Sequence, residues 1–104
     1  MIIVTIDSVP GREIEEALGI VKGQIVQTKH LGRDLMAGLQ NLVGGEIKGY
    51  TDMMDEARKT ATFRMIEEAE KIGADAVIGV RYASSEIMQG ASEIMAYGTA
   101  VKLK

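Results

Sequence analysis

His30 and two carboxylates near it are the residues whose types and spacing could bind a metal. His30 is the only histidine, and Asp34 follows it at the i, i+4 spacing that places two ligands on one face of a helix. Glu46 could add an oxygen from the glycine-rich segment that follows, which would suit a hard or borderline divalent metal. The alternative is that His30 precedes the helix, and Asp34 is then an acid favoured by the helix dipole.

Three arginines could bind an anion: Arg58, Arg64 and Arg81. Each has acids nearby in sequence, so ion pairs in solvent or between subunits are the simpler interpretation. The glycines at 44–45 precede a helix N-terminus, as in some phosphate-binding loops, but the acids around them would repel a phosphate. We therefore predict no phosphate site there.

Catalytic arrangements are hard to find in this chain. Ser84 and Ser85 lack the glycine-flanked turn of a nucleophilic serine. There is no cysteine, so thiolate chemistry and disulfides are excluded. The glutamates at 67, 68 and 70 are spaced as a solvated helix face and not as an acid–base pair. The prediction is a non-enzymatic protein with no catalytic residues.

The bulk composition predicts a single domain over residues 1–104. The hydrophobic fraction is 46% and the net charge −3, and the 12 basic residues are scattered without forming a stripe. This pattern argues against a nucleic-acid partner. The apolar run at the N-terminus is too short for a signal peptide or a membrane span, so we expect a cytoplasmic protein with no membrane partner.

Helical and extended patterns alternate along the chain and must position these residues. A long charged helix is predicted from an N-cap at Thr51 to Gly73, and a short helix over 31–43, stopped by the glycines at 44–45. Strands are predicted over 2–6, 76–83 and 93–103, with a hairpin turn at Gln89–Gly90. Residues 13–28 read as one long, bent strand whose glycines mark bulges or close backbone approaches, although two shorter elements remain an alternative.

The last strand has two different faces. Ile94, Ala96, Gly98 and Ala100 form a face of mostly small residues, against which the alanine-rich stripe of the long helix can pack closely. The opposite face carries larger residues, of which four are the predicted interface: Met95, Tyr97, Val101 and Leu103. One helix cannot cover both faces, and large exposed apolar patches usually mark interfaces. The pattern favours a homo-oligomer, and a sheet covered within one chain is the alternative.

Four blocks of the sequence resemble the YbjQ family. They are VPGREIEEALGIVKGQIV, DLMAGLQNLVGGEIKGYT, EARKTATFRMIEEAEKIGADAVIGVRY and AYGTAVKL, in this order over nearly the whole chain. The family is described as "putative heavy-metal-binding", with no confirmed function. The resemblance implies a two-layer α/β subunit related to the dodecin subunit, and a ring-shaped pentamer.

Together these observations predict an α+β fold. It has a mainly antiparallel sheet of three to four strands, one long helix and one short helix. The function predicted for this chain is that of a non-enzymatic, homo-oligomeric ring with a binding or scaffolding role, and the resemblance implies that the ring is a pentamer. The first alternative is a metal-binding module that uses His30 and Asp34 at subunit interfaces. The second is a carrier of a small ligand or cofactor, by analogy with dodecin rings that hold flavin.

Overall fold

The computed structural model describes residues 1–28 and 48–104 of the chain. In this part of the chain one helix, α1 (Lys48–Lys71), packs on a four-stranded sheet built from β1 (Ile2–Ile3), β2 (Ile14–Thr28), β3 (Ala76–Met88) and β4 (Ala91–Leu103). The strand order is β1-β3-β4-β2, with β1 parallel to β3 and both other pairings antiparallel. The α+β fold with a mainly antiparallel sheet is confirmed. The short helix predicted over 31–43 lies outside the described residues.

Helix α1 begins one turn earlier than the sequence predicts. Its first residue is Lys48, so the expected N-cap, Thr51, lies inside the helix. That prediction was wrong because a good capping residue is also tolerated in a helix when the residues before it can continue the turn. The other end is as predicted: Gly73 has φ 79°, its N–H donates to Glu70, and the N–H of Ala74 donates to Ala69. These two bonds form a Schellman motif.

The buried stripe of α1 packs on the small-residue face of β4, as predicted. Ala57, Ala61, Met65 and Ala69 share a core with Ile94, Ala96 and Ala100. The helix also contacts the neighbouring strand β2 through Val21. Small side chains on both surfaces allow helix and sheet to approach closely, which increases dispersion contacts across the layer.

Residues 14–28 form one strand, which confirms the interpretation of this segment. The pairing of β2 with β4 shifts register between Ile14 and Glu16 and again between Ala17 and Gly19. Gly19 has φ 129°, a conformation that residues with a side chain disfavour, so a glycine allows the backbone irregularity at this point of the strand. Gly23 is a site of close backbone approach, the other role predicted for these glycines, because the backbone of α1 lies directly over it.

Strands β3 and β4 are longer than predicted and extend to a tight hairpin turn. The turn lies at Gln89–Gly90 as expected, with Gly90 at φ 81°. Near the base of the hairpin, Gly79 adopts φ 62° in a bulge opposite Gly98. Beyond the short β1, the chain continues along β3 through bonds from Gly79 N–H to Ile6 and from Val80 N–H to Val4.

An N-terminal turn covers the base of the rear face, the sheet face opposite α1. Pro10 and Gly11, with φ 81° at Gly11, close a turn in which Arg12 N–H donates to Val9 C=O. Val9 is buried with Ala76, Val101 and Leu103. The chain therefore covers this end of the rear face itself.

Candidate interaction surfaces

Two of the four predicted interface residues are already buried within the chain. Val101 is 1% exposed and Leu103 7%, because Val9 and its neighbours pack on them. They expose too little surface to form an interface, so the prediction that Val101 and Leu103 are interface residues was wrong. Tyr97 is 39% exposed and Met95 is half-buried, and these two remain candidates.

The rear face carries apolar residues that the sequence analysis did not assign to an interface. Ile20 is 79% exposed and pairs in register with Thr99, and the exposed Val26 pairs with Glu93. Tyr97 and Met95 lie between these two rows on β4. We call Ile20, Val26, Met95 and Tyr97 the rear patch.

The distal half of β3 is exposed on both faces. Every residue from Arg81 to Met88 is exposed, and the apolar ones include Tyr82, Ile87 and Met88. On one side these residues pair with β4, but β1 pairs only with the base of β3. The outer edge of β3 from residue 82 onward therefore has no strand beside it among the described residues.

A groove lies between α1 and this exposed part of β3. Its volume is about 550 Å³, and its apolar lining is Phe63, Ile66 and Tyr82, with Phe63 62% exposed. The hydroxyls of Thr62 and Tyr82 are 2.7 Å apart and tie the helix to the strand across the groove. The groove is open to solvent, and its two exposed rings offer a surface against which a flat, partly apolar ligand could lie.

The arginines have different partners from one another. Arg58 forms the predicted kind of ion pair, with Asp55 at 2.8 Å on the rim of the groove. Arg64 instead donates from Nη1 to the carbonyl of Gln24 at 2.6 Å, and Arg81 donates to the carbonyl of Thr5 at 2.8 Å. These two guanidinium groups join elements of the fold, which is not evident from their acidic neighbours in sequence.

The predicted metal residues His30, Asp34 and Glu46 all lie outside the described residues. In residues 1–28 and 48–104, no group of three or more histidine, cysteine or acidic side chains is placed to hold a metal ion. The donor set of the chain, without cysteine and with one histidine, also does not fit a soft heavy metal, which prefers thiolates. Within the same ranges no helix is long and apolar enough to cross a membrane.

Comparisons with known proteins identify the family. Residues 1–104 match the family model YbjQ_1, described as "Putative heavy-metal-binding". A UPF0145 protein of Thermotoga maritima is 62% identical over 104 residues, covering 100% of this chain and 98% of the relative. A UPF0145 protein of Vibrio campbellii is 60% identical over 103 residues, covering 99% of each chain. These names assign no enzymatic activity.

A solved structure shows the same fold. It is a protein of unknown function from Pediococcus pentosaceus, assigned to the DUF74 family. The TM-score is 0.64 at 18% identity, and the match covers 100% of this chain and 98% of the other. With the family model matched from end to end and relatives at 60% identity or more, the chain belongs to the YbjQ family of UPF0145 proteins.

Proposed function

We propose that this chain is the subunit of a homo-oligomeric ring with a binding or scaffolding role and no enzymatic activity of its own. The observation that carries the proposal is the rear patch, which places Ile20, Val26 and Tyr97 on one exposed sheet face. Fully burying one large apolar side chain is worth about 1.5–3 kcal/mol. Covering this patch by a second copy would therefore contribute several kcal/mol to assembly. The resemblance to YbjQ pentamers supports five subunits.

Native mass spectrometry of the purified protein, with analytical ultracentrifugation at micromolar concentration, tests this proposal. We expect a single oligomer, a pentamer by the resemblance. The oligomer should form without any added ligand. A protein that remains monomeric in both experiments would overturn the proposal. Any mass retained beyond the polypeptide would identify what the ring binds.

The family description favours metal binding as a second candidate function. His30 and Asp34 would supply the ligands, with Glu46 as a further oxygen, and a ring could bring one histidine from each subunit to a common axis. Isothermal titration calorimetry with zinc, nickel and copper, each added alone, tests whether the chain binds a metal. Binding that is lost in His30→Ala would support the site, and binding that is unchanged in His30→Ala would exclude it.

The groove beside Phe63 and Tyr82 favours a third candidate, the carriage of a small flat ligand. Dodecin rings, whose subunits the YbjQ fold resembles, hold flavin, and flavin is therefore the probe to use. Titration of flavin mononucleotide should quench its fluorescence, and Phe63→Ala should abolish the quenching. No change in fluorescence on adding the parent protein would exclude flavin as the ligand.

A further inference from the structure

The N-terminal turn, residues 7–12, is fixed to the sheet at both of its ends. Before the turn, Gly79 N–H donates to the carbonyl of Ile6 at 2.8 Å. After the turn, Lys104 N–H donates to the carbonyl of Glu13 at 2.9 Å. Between these two points, no backbone hydrogen bond joins the turn to the sheet in the described part of the chain. The turn therefore depends on its side chains to stay in place.

Two side chains of the turn attach it to the rest of the molecule. Val9 is 6% exposed and, along residues 5–17, which the structure describes without a gap, it alone has a buried side chain. The residues on which it packs are Ala76, Val101 and Leu103. Arg12 donates from Nε and Nη2 to the carbonyl of Lys104, at 3.2 and 3.1 Å, and both hydrogen bonds are exposed to solvent.

An attachment of this kind breaks more easily than the core of the domain. Segments with few buried contacts open locally, at a free energy below that of global unfolding. The exposed bonds of Arg12 contribute little, because water replaces them when they break. Helix α1, in contrast, buries a continuous stripe of side chains against the sheet. The turn can therefore leave the sheet while α1 and the strands stay folded.

Opening of the turn would enlarge the apolar surface of the rear face. Val101 is 1% exposed and Leu103 7% while the turn covers them. On the same face of β4, Thr99 lies between Val101 and Tyr97, a residue of the rear patch. Ile20, also in the rear patch, pairs in register with Thr99. With the turn displaced, the rear patch and the two uncovered residues would form one surface along β4.

We infer that the N-terminal turn is a cover that opens locally, with Val9 as its anchor, and that its opening extends the rear patch to Val101 and Leu103. The motion takes place within one subunit and does not depend on the proposed ring. An apolar molecule that binds the extended surface would favour the open turn, because a ligand shifts an equilibrium toward the state that it binds better. The turn thereby controls how much apolar surface the protein offers.

Thiol labelling can measure this opening because the chain has no cysteine of its own. Val101→Cys places a thiol under the turn, and Val21→Cys places a matched thiol on the other face of the sheet, under α1. Both parent residues are valines, and each is 1% exposed. The rate at which dithionitrobenzoate labels each thiol in the folded protein reports how often its cover opens. Urea denaturation of both variants checks that the fold is retained.

We expect labelling of Val101→Cys to be about tenfold faster than that of Val21→Cys, or more. Adding Val9→Ala, which removes two buried methyl groups, should raise the rate of Val101→Cys by about tenfold again. Glu67→Gly lies on the exposed face of α1, far from the turn, and lowers the stability of the helix. It should speed the labelling of Val21→Cys by about threefold and leave Val101→Cys unchanged, because local opening of the turn does not break the helix.

Three results would overturn the inference. If Glu67→Gly speeds the labelling of both thiols equally, the turn opens only when the whole domain unfolds. If Val9→Ala leaves the rate of Val101→Cys unchanged, Val9 is not the anchor of the turn. If that rate instead rises on dilution of the protein, contact between copies protects the thiol and the turn does not. A monomeric parent protein would overturn the proposed ring and leave this inference standing.

Discussion

A Cβ atom at Gly23 would overlap the carbonyl oxygen of Ala61. The same atom would overlap the backbone nitrogen of Met65, so helix α1 and strand β2 meet backbone to backbone at this point. Neither neighbour is the end of a flexible side chain, and the clash cannot be relieved by changing a rotamer. The thickness of the two-layer subunit is set here by the absence of a side chain.

Gly23→Ala should therefore lower the free energy of unfolding strongly. Overpacking costs about 1–3 kcal/mol when side chains can adjust, and we expect at least the upper end because backbone must move on both sides. Urea denaturation of the variant, compared with the exposed control Lys22→Ala, measures the effect. A loss below 1 kcal/mol would show that the helix can lift from the sheet at little cost.

Tyr82→Phe should weaken the link between α1 and β3 without affecting the core. The variant removes one partner of the hydrogen bond between Thr62 and Tyr82, which is 2.7 Å long and exposed. Such a bond contributes about 0.5–1 kcal/mol at this kind of site. A double-mutant cycle with Thr62→Val measures the coupling, and additive effects of the two substitutions would show that the bond contributes nothing to stability.

Ile20→Glu should impair assembly and leave the subunit folded. Ile20 is 79% exposed in the single chain, so the substitution should change its stability by no more than about 0.5 kcal/mol. A carboxylate buried between copies would weaken their association by tenfold or more, about 1.4 kcal/mol. Sedimentation velocity over a concentration series checks this, with the exposed Ile72→Glu at the end of α1 as control. Equal association of both variants would exclude the rear patch as the contact surface between copies.

Asp75→Ala should destabilise the junction between α1 and the sheet. The carboxylate of Asp75 accepts a hydrogen bond from Leu103 N–H at 2.9 Å, and its own N–H donates to Val101 C=O at 2.9 Å. Removing the carboxylate leaves a partly buried N–H without its acceptor, at a cost of about 1–2 kcal/mol. Asp75→Asn keeps an acceptor oxygen and should lose less. Equal urea midpoints for the two variants would contradict this explanation.

Local patterns were sufficient to predict the helix end, the hairpin turn and the roles of Gly19 and Gly23. These features depend on a few neighbouring residues, such as the glycine at position 73 that ends α1. The start of α1 was predicted wrongly at Thr51, because capping propensity is a weak preference that the flanking residues can override.

Side-chain direction along β2 could not be predicted from the sequence. Leu18 and Ile20 have the same parity, yet Leu18 packs toward α1 while Ile20 pairs with Thr99 on the rear face. The register shifts before Gly19 break the alternation that sequence patterns assume. Burial of Val101 and Leu103 was missed for another reason: the cover comes from Val9, far away in the chain, and periodicity carries no information on such contacts.

The join at Gly73, where a turn of only four residues leads from α1 into β3, has a consequence for how the chain folds. The helix and the β3–β4 hairpin meet through contacts between near neighbours, whereas β2 reaches β4 from the opposite end of the sequence. Short closures form sooner than long ones, so β2 should be the last strand to dock. Pulsed hydrogen exchange would then find its amides protected after those of the hairpin.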